Sequence, residues 1–213
     1  MRALLAILSS IFILALAGCE QGRTPAPATA EPAAPVAISG PWTLDTTASR
    51  IAFASIKAGD LAETHFFPGL RGEITAAGLA SVLVPLDQVE TKIDLRNERM
   101  RELFFETATY PDATIRAQID ASAYADLAIG ARRQTEIAGT LSLHGVDAEI
   151  YAEAYVTRIA ETRIEVASAE PVMLHVSDFG LEAGLEALRE IAGLPSITPV
   201  VPVTFSFVFE TQG

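Results

Sequence analysis

Near the end of the chain, Val201, Val203, Phe205, Phe207 and Phe209 are separated one by one by Pro202, Thr204, Ser206 and Val208. Successive side chains of a strand point to opposite faces, so this period of two places all five apolar groups on one surface, whereas a helix would scatter them around its girth. The same period recurs at Ile115, Ala117 and Ile119, at Ile137, Gly139, Leu141 and Leu143, and at Ala148, Ile150, Ala152, Ala154 and Val156. His144-Gly145-Val146-Asp147, between the last two runs, reads as a hairpin turn. Further strands are expected over 50–57, 70–75, 81–86, 163–168 and 172–176.

Two stretches have helical spacing instead. In 95–104, Leu95, Met100, Leu103 and Phe104 lie among charged residues with Asp94 placed to cap them, and 184–192 is closed by Gly193 and Pro195. Many short strands with two short helices predict an all-β antiparallel barrel or sandwich, in one domain over 41–213. A barrel of about eight strands is either filled by its own side chains or holds one ligand. Small residues at Ala148, Ala152 and Ala154, opposite a strand rich in Phe, favour the ligand.

The start of the chain has a different character. Met1-Arg2 precedes about 15 nearly continuous apolar residues from Ala3 to Ala17, too few for a membrane-spanning helix and the right number for a secretory signal. Leu16-Ala17-Gly18-Cys19 resembles the bacterial lipobox, in which the Cys sulfur receives lipid before the signal is cut away. Residues 1–18 are thus expected to be a lipoprotein signal peptide and Cys19 the lipidated first residue of the mature chain. Residues 19–40, rich in Pro and Ala and without an aromatic group, read as a linker that cannot bury enough surface to fold. At about 3.1 Å per residue it reaches up to about 60 Å.

The formal charge is −12, and loss of the signal removes only Arg2, making the chain more acidic. Scattered basic residues exclude nucleic acid as a natural partner, and an acidic surface gains nothing from an anionic membrane, so membrane residence rests on the lipid anchor. Cys19 is the sole cysteine, so no disulfide forms within the chain and the domain depends on a hydrophobic core.

The usual catalytic signatures are missing from the sequence. Glu63 and His65 would share a strand face, but two ligands do not make a zinc site. His175-Val176-Ser177-Asp178 gathers the residue types of a hydrolytic triad, yet such triads converge from distant positions, so it reads as a strand end and a turn. The charged run 96–102 reads as a solvated helix face. No catalytic residue, metal or cofactor is assigned.

Several segments together resemble the YceI-like family of bacterial periplasmic proteins. Trp42-Thr43-Leu44-Asp45 with Ser49-Arg50-Ile51-Ala52-Phe53 resembles its opening strands, and Leu70-Arg71-Gly72-Glu73-Ile74 the next. Asn97-Glu98-Arg99-Met100-Arg101, followed by Phe104-Phe105-Glu106 and Tyr110-Pro111, is similar to its central signature. Gly139 to Val146 and Ser177-Asp178-Phe179-Gly180-Leu181 match its hairpin and late turn. The resemblance covers 41–210. It implies a lipocalin-like antiparallel barrel holding a long apolar molecule such as a polyisoprenoid, an isoprenoid quinone or a fatty-acid amide, with no catalytic residues.

The chain departs from the family pattern at Ile56-Lys57-Ala58, where a basic-His pair is usual, and at an added helical stretch over 182–192. Both departures bear on the mouth, so the identity of the ligand is not carried over. Phe53, Phe67, Leu70, Met100, Phe104, Phe105, Leu141, Phe179, Phe205 and Phe207 are the candidate lining residues. The leading expectation is a lipid carrier or reservoir facing the periplasm and anchored through Cys19. Glu20, where an Asp would favour the inner membrane by analogy with enteric bacteria, points towards the outer one. The alternatives are a scaffold lipoprotein with a filled barrel, its protein partner unknown, and an enzyme acting on its bound lipid through Glu63 and His65.

Overall fold

The computed structural model describes residues 41–211. The expected signal peptide, Cys19 and the linker lie outside them. The strands are β1 (Trp42–Leu44), β2 (Arg50–Lys57), β3 (Leu61–Phe67), β4 (Arg71–Ile74), β5 (Leu79–Pro85), β6 (Asp112–Gln118), β7 (Arg132–Leu143), β8 (Val146–Ala160), β9 (Arg163–Ser168), β10 (Val172–His175) and β11 (Val200–Glu210). All pair antiparallel, in the closed order β1-β4-β5-β6-β7-β8-β9-β11 and back to β1. This is an eight-stranded barrel.

The three remaining strands prolong members of that ring. Along one edge β11 pairs with β9 at Ser206–Glu210 and with β10 at Val200–Val203, and along the other with β1 at Phe209–Glu210 and β2 at Val203–Ser206. β1 with β2, and β9 with β10, are therefore single strands broken by a joint. The first joint is set by Asp45, whose carboxylate accepts from Thr47 N and Ala48 N at 3.0 and 3.1 Å and from Arg163 Nη2 at 2.5 Å. β3 leads into β4 through Gly69, at φ +74, in the same manner.

Neighbouring strands run in opposite directions, so the β2–β3, β5–β6, β7–β8 and β10–β11 connections share one end. That end carries α1 (Asp94–Arg99), continued by a π turn over Met100–Phe104, and α2 (Glu182–Ile191). The β7–β8 turn there is His144-Gly145, with φ of 52° and 77°, the left-handed pair that matches the twist of a two-residue hairpin. α2 lies close against the π turn. A Cβ at Gly184 would meet Leu103 O at 2.5 Å, so glycine permits the approach.

The opposite end is closed by the β6–β7 connection. Its Tyr124 and Leu127 are buried, and Arg158, only 2% exposed, donates from Nη2 to Glu161 O at 3.1 Å and from Nη1 to Leu127 O at 3.4 Å. The described chain also begins here, where Trp42 pairs with Ile74 and Thr211 Oγ1 donates to Pro41 O at 3.0 Å.

Two local expectations are corrected. Asp94 is the first helical residue of α1, not its cap, and Ile93 precedes it without a side-chain hydrogen bond. The turn is fixed instead by buried Asn97, whose Oδ1 accepts from Thr91 N at 2.8 Å and Thr91 Oγ1 at 2.6 Å. The run 96–102 is solvated only in part, at exposed Glu98 and Glu102. Asn97 anchors it inward, and Arg96 and Arg99 turn towards the barrel interior.

Candidate functional site

A cavity of about 630 Å³ runs along the inside of the barrel. Its walls follow the period of two: Ile137, Gly139, Leu141 and Leu143 of β7 border it, as do Val201, Val203, Phe205, Phe207 and Phe209 of β11. Nine of the ten candidate lining residues reach it. Phe53 stacks on Phe67 with ring centroids 5.4 Å apart, Phe67 meets Phe105 edge-on at 5.8 Å, and Phe105 meets Phe104 at 4.8 Å. Phe205 and Phe207 stack at 4.9 Å, while Met100, Leu141 and Phe179 complete the set.

Leu70 is the exception. It is 1% exposed and packs in the core just past the Gly69 turn, off the cavity wall. Of the small residues on β8, Ala152 borders the cavity between Ile150 and Val156, whereas fully buried Ala154 and half-buried Ala148 do not. Sequence reading also missed Trp42, 3% exposed and on the wall, because a three-residue strand carries too little pattern to place it. Leu185 and Leu188, four and seven residues on from Leu181, put one face of α2 over the cavity.

Polar groups gather at the end that carries the helices. On β2 the inward sequence is Ile51, Phe53, Ser55, Lys57, and on β3 His65 stands opposite Phe53. His65 is 3% exposed. Its Nε2 shares a hydrogen bond of 2.9 Å with Ser55 Oγ, and its Nδ1 has no partner. Burial chiefly, and then the Arg96 charge, lower its pKa from 6.5 to about 4, so the ring is neutral at pH 7.

Glu63 shares the strand face of His65 but turns to other partners. Its carboxylate pairs with Lys57 Nζ and, at 2.7 Å, with Arg96 Nη1, and the hydrogen bond from Lys57 is the first cause holding it below the usual carboxylate range. Arg96 Nη2 donates to Thr91 O at 2.7 Å. The pair is thus committed to structure and does not form a joint ligand set. Among the described residues no group of three His, Cys, Asp or Glu is placed to hold a metal ion. His175, Ser177 and Asp178 are exposed on a strand end and the following 3-10 turn, without triad geometry.

The neutral, buried His65 has a stability consequence. The unfolded chain takes up its proton near pH 6.5 and the native one near pH 4, so this contribution is complete above 6.5 and lost as the pH falls towards 4. At about 1.36 kcal/mol per pH unit, urea unfolding at pH 4.5 is expected to show about 2–3 kcal/mol less stability than at pH 7. Comparison with His65→Leu isolates the effect, since the Glu63 carboxylate is lost only at lower pH; equal pH slopes for the two proteins would reject it.

A closed antiparallel barrel around an apolar cavity with one polar end defines a protein of the ligand-holding barrel class. The chain belongs to the YceI-like family: the YceI-like domain matches residues 42–209. Among solved structures, it is 42% identical to a polyisoprenoid-binding domain from Saccharophagus degradans implicated in plant cell wall breakdown, with a TM-score of 0.79 over 80% of this chain and 98% of that one. BcnA of Burkholderia cenocepacia shares the fold at 17% identity, with a TM-score of 0.61 over 78% of this chain and 98% of its own. No curated protein matches the chain.

Proposed function

We propose that the protein is an envelope lipoprotein that holds a long isoprenoid-type lipid, a polyisoprenoid or an isoprenoid quinone, inside its barrel as carrier or reservoir. The observation that carries this reading is the cavity of about 630 Å³, walled by aliphatic and aromatic side chains along nearly all its length. The polyisoprenoid-binding relative at 42% identity supports it. Apolar burial gives about 2.5 kcal/mol for every 100 Å² removed from water, so a long prenyl chain is held without hydrogen bonds along its length. The role is binding, not catalysis, and an open cavity favours a carrier over a scaffold with a filled barrel.

Cys19 anchors the protein to the membrane, and the barrel faces the periplasm, from the outer membrane in the version that Glu20 favours. The lipobox and the Pro/Ala linker support this placement. The test is native purification of the full chain, organic extraction and mass spectrometry. An isoprenoid-type lipid is expected at close to one per protein. Absence of any apolar ligand at meaningful stoichiometry would overturn the reading.

A further inference from the structure

The chain has 27 acidic and 15 basic residues, yet no Asp or Glu borders the cavity while Lys57, Arg96 and Arg99 do. This reversal of sign is confined to the helical end. The side chains of Lys57 and Arg96 are only 21% and 23% exposed, and Glu63, which pairs with both, stands off the wall. Glu63 therefore offsets one of three positive charges. Arg99 forms no ion pair or side-chain hydrogen bond among the described residues.

Two buried nitrogens at this end also lack partners, Arg96 Nε and His65 Nδ1. A buried donor left unpaired is destabilising, and an acceptor arriving with a ligand relieves it. Arg Nε–H can only donate, and a neutral His offers a donor at one ring nitrogen. The groups left for a ligand are thus mainly donors and positive charges.

Building on the lipid-binding reading above, we propose that this end of the cavity is a head-group subsite for an anionic oxygen terminus, such as the phosphate of a prenyl phosphate. Arg99 and Arg96 supply charge-assisted hydrogen bonds, Lys57 adds a point charge, and His65, in the tautomer whose Nε2 accepts from Ser55 Oγ, donates from Nδ1. The apolar length of the barrel takes the prenyl chain. Charge-assisted bonds of this kind are roughly twice as strong as neutral ones.

Binding to the delipidated full chain is followed by the emission of Trp42, the sole tryptophan, which borders the cavity. Geranylgeranyl phosphate is expected to bind at least about tenfold more tightly than geranylgeraniol, which carries the same chain. Arg99→Met, a change that removes no ion pair or side-chain hydrogen bond among the described residues, is expected to cut that ratio at least threefold. Palmitate against hexadecanol separates the sources of charge: preference for both anions assigns the subsite to any anionic oxygen group, and preference for the phosphate alone narrows it to phosphate. Equal affinity for phosphate and alcohol, or an unaltered ratio in Arg99→Met, overturns the head-group subsite while lipid binding stands. Binding of none of the four probes overturns lipid binding itself, and the subsite with it.

Discussion

Replacing Ala152 by Phe is expected to weaken lipid binding roughly 5- to 150-fold, the equivalent of about 1–3 kcal/mol of overpacking. Ala152 sits mid-way along β8, 7% exposed, paired with Ile137 of β7, and its methyl group faces the cavity between Ile150 and Val156. A phenyl ring there projects into space that a prenyl chain would use. The delipidated protein is expected to keep its fold. The measurement pairs lipid recovery by mass spectrometry with thermal unfolding of the delipidated protein. Unchanged recovery with an unchanged melting temperature would remove Ala152 from the binding site.

Cys19→Ser, made behind a signal peptide that is cut without prior lipidation, is the second change with a large expected effect. With the sulfur gone no acyl chain can be attached there, and each buried methylene of the proposed anchor is worth about 0.8 kcal/mol of membrane residence. The protein is expected to move from the membrane pellet to the soluble fraction, more than about a hundredfold by partition, since one acyl chain alone binds only marginally and two or three bind stably. Lipid held inside the barrel is expected to persist. Retention of the variant in the membrane fraction would reject Cys19 as the anchor and leave the cavity's role untouched.

Much of the barrel was legible because the inward rows of β7 and β11 are apolar without interruption. The five alternating residues of β11 and the four of β7 all border the cavity, and β2 and β9 begin and end at 50–57 and 163–168 as expected. β3 escaped a firm assignment for a physical reason: Leu61–Phe67 carries Glu63 and His65 where alternation predicts apolar groups, because this part of the interior is polar. Arg96 was misread on the same ground. A charged residue on a short helix is ordinarily solvated, but the Thr91–Asn97 hydrogen bonds and Arg96's own bonds to Glu63 and Thr91 O hold it inward. Closure through broken strands was equally hidden, since nothing local in Asp45 reveals that it pairs with Arg163 of β9. Leu70 was placed by its hydrophobicity, but its direction is set by the turn at Gly69.

The described chain enters the barrel at Pro41 and Trp42, at the pole opposite Lys57, Arg96 and Arg99. If the chain is anchored through Cys19 and binds head groups as proposed, a barrel moored by one pole would offer its polar opening away from its own bilayer when the mooring is taut. β8, at about 3.3 Å per residue and inclined by about 40°, gives the barrel a height of roughly 40 Å. The proposed linker's reach of about 60 Å exceeds that height, so slack lets the barrel invert and bring the same opening back to the bilayer it hangs from. On that proposal the length of the linker would act as a selector between two membranes: shortening it would confine exchange to the opposite one, and lengthening it would admit both.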